Sequence, residues 1–206
     1  MSSHFFAYIS KMRWILRWGM KRNAIPENVM EHSFEVASIA YTLAEIRNRL
    51  YLNEGEEPLD ANAIAVAALF HDASEVLTGD LPSPIKYHNA KIRDAYKEVE
   101  RTAEREILAT LPEELQPAFE PFLLEENIPP EQKAIVKAAD MIAAYLKCTA
   151  EVNAGNPEFD RAQTYVEERL EEIELPEVKY FREVFLPSFS LTLDEIITPG
   201  ESITGH

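Results

Sequence analysis

Helical periodicity runs through almost the whole chain and stops only where proline, glycine or a short polar run demands it. No sustained period-2 alternation appears, so a β-sheet core is not expected. Residues 4–17 carry Phe5, Ile9, Met12 and Leu16 at helical spacing. Residues 18–27, with Gly19 and Pro26, read as a loop. Residues 28–50 predict a strong helix with Val29, Val36, Ile39, Leu43 and Ile46 on one side. The polar run 53–58 breaks the pattern, and an Ala-rich helix is expected from about Asp60 to Glu75, closed by Thr78-Gly79-Asp80. Leu81-Pro82-Ser83-Pro84 reads as a rigid turn, because proline lacks the amide hydrogen and clashes with the preceding helical turn. A long helix over about 86–110 (Ile92, Val99, Ala103, Ile107) and a short acidic helix begun by Pro112 follow. After Pro129-Pro130, residues 131–152 repeat Ile135, Ala139, Ile142 and Leu146, with Gly155 just past the end. Asn156-Pro157 opens a helix to about Glu174, Pro176 opens one ending before Pro187, and 193–197 is a short last helix. The expected fold is all-α: a compact single-domain helical bundle over 1–197, with 198–206 a frayed tail. Thirteen prolines and six glycines fit short, stiff connections.

Charge narrows the function. Twenty basic residues against 36 acidic ones give a net charge of −16. Nucleic-acid polymers are held chiefly by Lys and Arg on phosphates, so a coating role on DNA or RNA is excluded as an expectation, whereas one local basic cluster can still hold a small anion. No window approaches ~18 uninterrupted apolar residues, so no membrane-spanning helix is expected. Lys11, Arg13 and Arg17 interrupt the apolar start, which does not read as a signal peptide. With the single Cys148, this predicts a reducing, cytoplasmic setting. Cys148 itself lies on an apolar stripe and reads as a buried structural thiol.

The five histidines concentrate the chemistry. His71-Asp72 follows the apolar run AIAVAAL, at or near the buried end of a helix. Buried ionisable groups are costly unless paired or bound to metal. Glu75 lies four residues after His71 and three after Asp72, which on a helix places all three on neighbouring rows of one face. His32 sits in VMEHSFEVA and Asp140 in IVKAADMIAAYL, both on apolar helices. The alternative for Asp140 is a purely structural pairing with Lys137, three residues before it. Taken together, His32, His71, Asp72 and Asp140 make a mixed N/O site for one divalent metal with open positions. Cobalt, manganese and zinc all suit two imidazoles and two carboxylates. His4 and His88 show no partner pattern, Lys86 is either a solvated lysine or a phosphate aid, and 167–174 reads as a solvated helix face.

These residues resemble the H…HD…D signature of the HD-domain phosphohydrolases, which are metal-dependent all-α enzymes. HFFAYISKMRWILRW, NVMEHSFEVA, HDASEVLTGDLPSPIKY, ADMIAAYLKC and FLPSFSLTLDEI are similar to strings of the bacterial 5′-deoxynucleotidases of that superfamily, over nearly the whole chain to about residue 197. The resemblance implies a bundle of the HD-domain type and hydrolysis of deoxyribonucleoside 5′-monophosphates to deoxyribonucleoside and phosphate. It implies metal at His32, His71, Asp72 and Asp140, with His32 and Asp140 also bordering the substrate. It implies Arg17 on the phosphate, Trp18 against the sugar, and Asp80, Leu81, Pro82 and Ser83 lining the substrate site. It implies Glu75 acting on the attacking water, a homodimer, and a divalent transition metal such as cobalt or manganese.

General chemistry is compatible with those roles. A carboxylate one turn from metal ligands can take or relay a water proton. Asp80 can protonate the departing 5′-oxygen if burial or a nearby anion raises its pKa, or it can hydrogen-bond sugar or backbone instead. Arg17 offers a planar fork to phosphate oxygens. An apolar wall at Trp18 would exclude a 2′-hydroxyl by contact and by leaving it unpaired. Two other functions remain open at this point: an HD-domain hydrolase of a triphosphate or signalling nucleotide, and a catalytically silent metal-containing binding module. The 131–152 helix and Phe181, Phe185 and Phe189 are equally candidates for a dimer face or for core.

Overall fold

A computed structural model describes residues 2–197. The expected tail, 198–206, lies outside the described residues. Within them the chain is helical, without a named strand; one antiparallel bridge joins Leu16 to Asn28. The elements are α1 (Phe5–Ile9), α2 (Val29–Ile46), α3 (Ala61–Phe70), α4 (Glu75–Thr78), α5 (Ser83–Lys86), α6 (Ala90–Leu108), α7 (Gln116–Leu123), α8 (Pro130–Asn153), α9 (Asp160–Glu171), α10 (Pro176–Val184) and α11 (Leu193–Ile197).

Side-chain caps start several of them. Asn28, Asp60 and Asn89 accept the backbone N–H of Glu31, Ala63 and Ile92, satisfying donors that a helix start leaves orphaned. Asn156 does the same for Glu158. Gly155, at φ +76°, takes the left-handed position past α8.

The central layer is α2 against α3 and α8. Val36, Ile39, Leu43 and Ile46 of α2 meet Ile64 of α3 and Ile135, Ile142 and Leu146 of α8, with Phe181 of α10 closing the cluster. Ala37, Ala40 and Ala44 on α2 and Ala67 and Ala68 on α3 are buried too, and their small side chains let the two axes approach. A second cluster joins α1, α6 and α7: Phe5 packs edge-on to Phe119 at 5.1 Å and beside Phe70 at 6.1 Å, over Ile107, Leu111 and Leu123. A third gathers Cys148, Phe159 and Val166, with Trp18 against it.

Several expectations change. The 4–17 segment is α1 followed by a 3₁₀ turn over Ser10–Trp14, and Leu16 is exposed. The expected 60–75 helix stops at Phe70; residues 71–74 form tight turns before α4. Ala73 is buried in the second cluster, which pulls the chain off the α3 axis. Ser83–Lys86 forms one helical turn with Pro84 in its first turn, where its missing N–H costs nothing. The acidic stretch after Pro112 turns first, and α7 begins only at Gln116. Ile92 and Val99 of α6 are exposed, and its buried end is Ala103 and Ile107. Phe181 and the apolar residues of α8 belong to the core, while Phe185 and Phe189 stay exposed.

No helix among the described residues is long and apolar enough to cross a membrane.

Candidate active site

The central layer dictates where the polar residues meet. Burying the apolar stripe of α2 on α3 and α8 brings three helix positions together: His32 in the first turns of α2, His71-Asp72 just past α3, and Asp140 midway along α8. His32 Nε2 lies 3.0 Å from Asp140 Oδ1 and 3.7 Å from Asp72 Oδ2, and His71 Nε2 lies 3.2 Å from the same Asp72 oxygen. One ligand atom each from His32, His71 and Asp72 all fall within 4.8 Å of one another. Asp140 joins through His32 and also faces Arg17 Nη2 at 4.0 Å; exposed Lys137 does not pair with it.

The break after α3 sets the His71 ring. A helix leaves its last carbonyls unpaired, and Ala68 C=O takes the His71 Nδ1–H at 2.7 Å. That bond fixes the tautomer and leaves the Nε2 lone pair directed at the cluster. His71 Nε2 and both nitrogens of His32 are buried without a hydrogen-bond partner. Buried imidazole nitrogens close to carboxylates but outside hydrogen-bond geometry are what a metal-ligating set requires.

The charge balance points the same way. Five carboxylates (Glu27, Asp72, Glu75, Asp80 and Asp140) gather around one guanidinium, Arg17. Arg17 Nε donates to Glu27 Oε2 at 3.2 Å and Nη1 to Asp72 Oδ2 at 3.1 Å. Burial works against the Arg17 charge, yet Asp72, Asp140 and Glu27 outweigh it and hold the group firmly protonated. Burial likewise opposes the charged His71 ring, but Asp72 and Asp140 raise it to about 9. Asp72 is held well below the usual carboxylate range by His71 and Arg17, despite its burial. A divalent cation would compete with protons for these imidazoles and relieve the excess of anions. The residues therefore fit a metal.

Glu75, at the start of α4, is buried, and its Oε2 has no hydrogen-bond partner. Burial, with Asp72 and Asp80 nearby, pushes its carboxyl up to about 9; a divalent charge at the ligand set would oppose that shift. Asp80 is also raised, chiefly by burial. Its Oδ2 accepts the backbone N–H of Trp18 at 3.2 Å. Leu81 and Pro82 are half-buried beyond it, and Ser83 is exposed at the head of α5, with no hydrogen bond to the cluster.

Trp18 is the strained point. It stands at φ +60°, the left-handed region that bulky residues avoid at a cost of order 1–3 kcal/mol. Its indole N–H donates to Glu27 Oε2 at 3.1 Å, and its ring tilts against Phe159 at 5.3 Å. Non-glycine strain of this kind gathers at functional sites.

The sequence-predicted residues Arg17, Trp18, His32, His71, Asp72, Glu75, Asp80 and Asp140 thus surround one centre. Lys86 does not join it as a free cation: it pairs with Glu100 at 2.6 Å. Burial pushes the Cys148 thiol up to about 12, so it is no nucleophile. His4 and His88 are exposed away from the cluster. Two further carboxylates, not among the residues expected from the sequence, serve the site. Glu27 touches Arg17 and Trp18 and faces His32. Glu151, fully buried on α8, accepts the backbone N–H groups of Ala24 and Ile25 at 2.9 and 3.0 Å, the Asn156 amide at 2.7 Å and the Lys147 ammonium. The Lys147/Glu151 pair, four apart in an apolar helix, was a readable signal for the second; nothing local marks Glu27.

Comparison with known proteins gives a consistent picture. The family model described as 5′-deoxynucleotidase YfbR-like matches residues 4–189. A 5′-deoxynucleotidase of Yersinia pestis (strain Pestoides F) is 50% identical over 194 residues, covering 94% of this chain and 96% of that one. A 5′-deoxynucleotidase of Yersinia pseudotuberculosis (serotype O:3) matches to the same extent. Among solved structures, an HD-domain phosphohydrolase of Listeria innocua superposes with a TM-score of 0.75 at 27% identity, over 90% of this chain and 88% of that one. An HD phosphohydrolase of cyanophage S-2L, bound to dA and one catalytic Zn2+ ion, shares the fold at a TM-score of 0.63 and 19% identity, over 86% and 93%.

Proposed function

The chain belongs to the YfbR-like 5′-deoxynucleotidase family and is a metal-dependent phosphohydrolase of deoxyribonucleoside 5′-monophosphates; on that premise we propose that His32, His71, Asp72 and Asp140 hold one divalent metal ion. The observation that carries this is the convergence of His32, His71 and Asp72 within 4.8 Å, with His71 Nε2 and both His32 ring nitrogens unpartnered. Cobalt, manganese and zinc all suit the donor set, and the cyanophage neighbour of the same fold holds zinc. When bound, such an ion supplies a lowered pKa for water and neutralises phosphate charge.

The chain's own groups do the rest. Arg17 engages the phosphate through its terminal nitrogens, its Nε already fixed by Glu27. Glu75, buried beside the ligands, takes the proton of the attacking water as the P–O bond forms. Asp80 anchors Trp18 through Oδ2, and its other oxygen carries the proton to the departing 5′-oxygen. Trp18 packs against the sugar, and its apolar face disfavours a 2′-hydroxyl. His32 and Asp140 border the substrate, and Leu81, Pro82 and Ser83 line its outer side.

A monophosphate is favoured over a triphosphate because, among the described residues, Arg17 is the one cation in the cluster while Lys86 is spent on Glu100. No nucleic-acid polymer or membrane partner is proposed, given the net charge of −16. A homodimer is proposed: Phe34 and Tyr41, two turns apart on the outward face of α2, are 70% and 43% exposed. The lone buried Cys148 fits the cytoplasm. The domain spans 1–197.

The test is phosphate release from dAMP, dTMP and AMP in parallel, with metal supplied. Release from the deoxy substrates and little from AMP is expected. Pyrophosphate or tripolyphosphate release from a triphosphate, with none from the monophosphates, would overturn the substrate assignment.

A further inference from the structure

Trp18 has an improbable backbone conformation and a single indole orientation, and both need an explanation. Its ring meets Phe159 at a tilt of 60° with centroids 5.3 Å apart, an apolar contact that carries no hydrogen bond. The indole N–H is what locks it, and its acceptor is Glu27 Oε2 at 3.1 Å. The same oxygen accepts Arg17 Nε–H at 3.2 Å. The other oxygen, Oε1, faces His32 Nδ1 at 3.7 Å. One carboxylate thus links the group assigned to the sugar, the group assigned to the phosphate and a metal-type imidazole.

Glu27 is itself rigidly placed. Its carbonyl accepts Arg17 N–H at 3.0 Å, and Val29 N–H donates to Ile15 C=O at 3.0 Å, so residues 15–17 and 27–29 form a two-stranded clamp. Pro26 precedes it, and Glu151 holds the Ala24 and Ile25 amides. Only one-eighth of the side chain is exposed. Leaving a part-buried indole N–H and a guanidinium N–H unpaired is costly, so loss of the carboxylate would release both rather than leave them in place.

We infer that Glu27 is the positioning residue that sets deoxyribose selectivity, by holding the Trp18 indole and the Arg17 guanidinium in one fixed relation. It does not touch the substrate. The inference rests on the reading that Trp18 walls the sugar, and it goes further by naming what makes that wall rigid enough to discriminate. Selectivity by steric exclusion needs a wall that cannot yield, since a side chain free to turn makes room for a hydroxyl.

The experiment measures kcat and KM for dAMP and AMP with metal-loaded wild-type protein, Glu27→Ala, Glu27→Gln, Trp18→Ala and the Glu27→Ala/Trp18→Ala double variant. Hydrogen exchange at the Trp18 indole N–H is followed in the proteins that retain it. Trp18→Ala should lower the dAMP-to-AMP ratio of kcat/KM at least tenfold. Glu27→Ala should lower it comparably, with faster indole exchange. The double variant should be no less selective than Trp18→Ala alone, because both act through one wall. Glu27→Gln keeps an acceptor oxygen and should recover most of the ratio. A wild-type ratio in Glu27→Ala beside a collapsed ratio in Trp18→Ala would overturn the inference and leave the sugar wall standing. A wild-type ratio in Trp18→Ala would overturn both. A collapsed ratio in Glu27→Ala with indole exchange as slow as wild type would also overturn the inference, since the ring would still be held.

Discussion

At the scale of single residues, the site works by leaving chosen atoms unpaired. Ala68 C=O takes one His71 nitrogen so that the other is free, and the same turn that ends α3 supplies that carbonyl. Glu75 is a buried carboxylate with a free oxygen next to the proposed metal ligands. Replacing it by Gln keeps its shape and removes its basicity. Glu75→Gln should lower kcat on dAMP by about 10²–10⁴ while metal content, read by elemental analysis, stays at the wild-type level. His71→Ala should instead lose the metal, with activity falling as a consequence; a zinc or cobalt titration followed by calorimetry distinguishes the two variants.

At the scale of elements, buried carboxylates hold loops to helices, and they respond oppositely to pH. Glu151 ties residues 24–25 to α8. Burial alone would raise it, but Lys147, Asn156 and two backbone amides bring it down to about 2. Its contribution is therefore complete above the unfolded value near 4.5 and is lost as pH falls through about 2. Glu151→Gln leaves the buried Lys147 without its charged partner, and urea unfolding at pH 7 should show a loss of about 3 kcal/mol, with a flatter acid limb. Glu104 on α6 accepts the Glu125 backbone N–H, yet burial and the neighbouring Glu125 and Glu100 push it up to about 7. The folded state then holds its proton more tightly than the unfolded one. The associated stability is full below about 4.5 and is lost as pH rises through 7. Glu104→Gln, which keeps the accepting oxygen, should be more stable than wild type at pH 8 by about 1–3 kcal/mol, with the difference vanishing near pH 4.

At the scale of the whole molecule, legibility follows how local each determinant is. The long helices α2 and α8 were readable because every stripe residue named for them is buried, and Gly155 past the end of α8 is local chemistry. The end of α3 was not, because no proline or glycine marks it; burial of Ala73 under α1 and α6 ends it from outside. The four metal-type residues were readable as polar outliers on apolar helices or at the end of an apolar run. Glu27 was not, since its meaning comes from Arg17, Trp18 and His32, which only the folded clamp assembles. On the proposed function, this assembly holds a single catalytic metal ion. The most direct measurement strips the protein with a chelator, titrates cobalt back, and follows bound metal and phosphate release from dAMP together. No release at zero metal and a plateau at one equivalent per chain are expected. Undiminished release from the stripped protein, or a plateau reached while His32, His71 and Asp72 are all replaced by alanine, would contradict it.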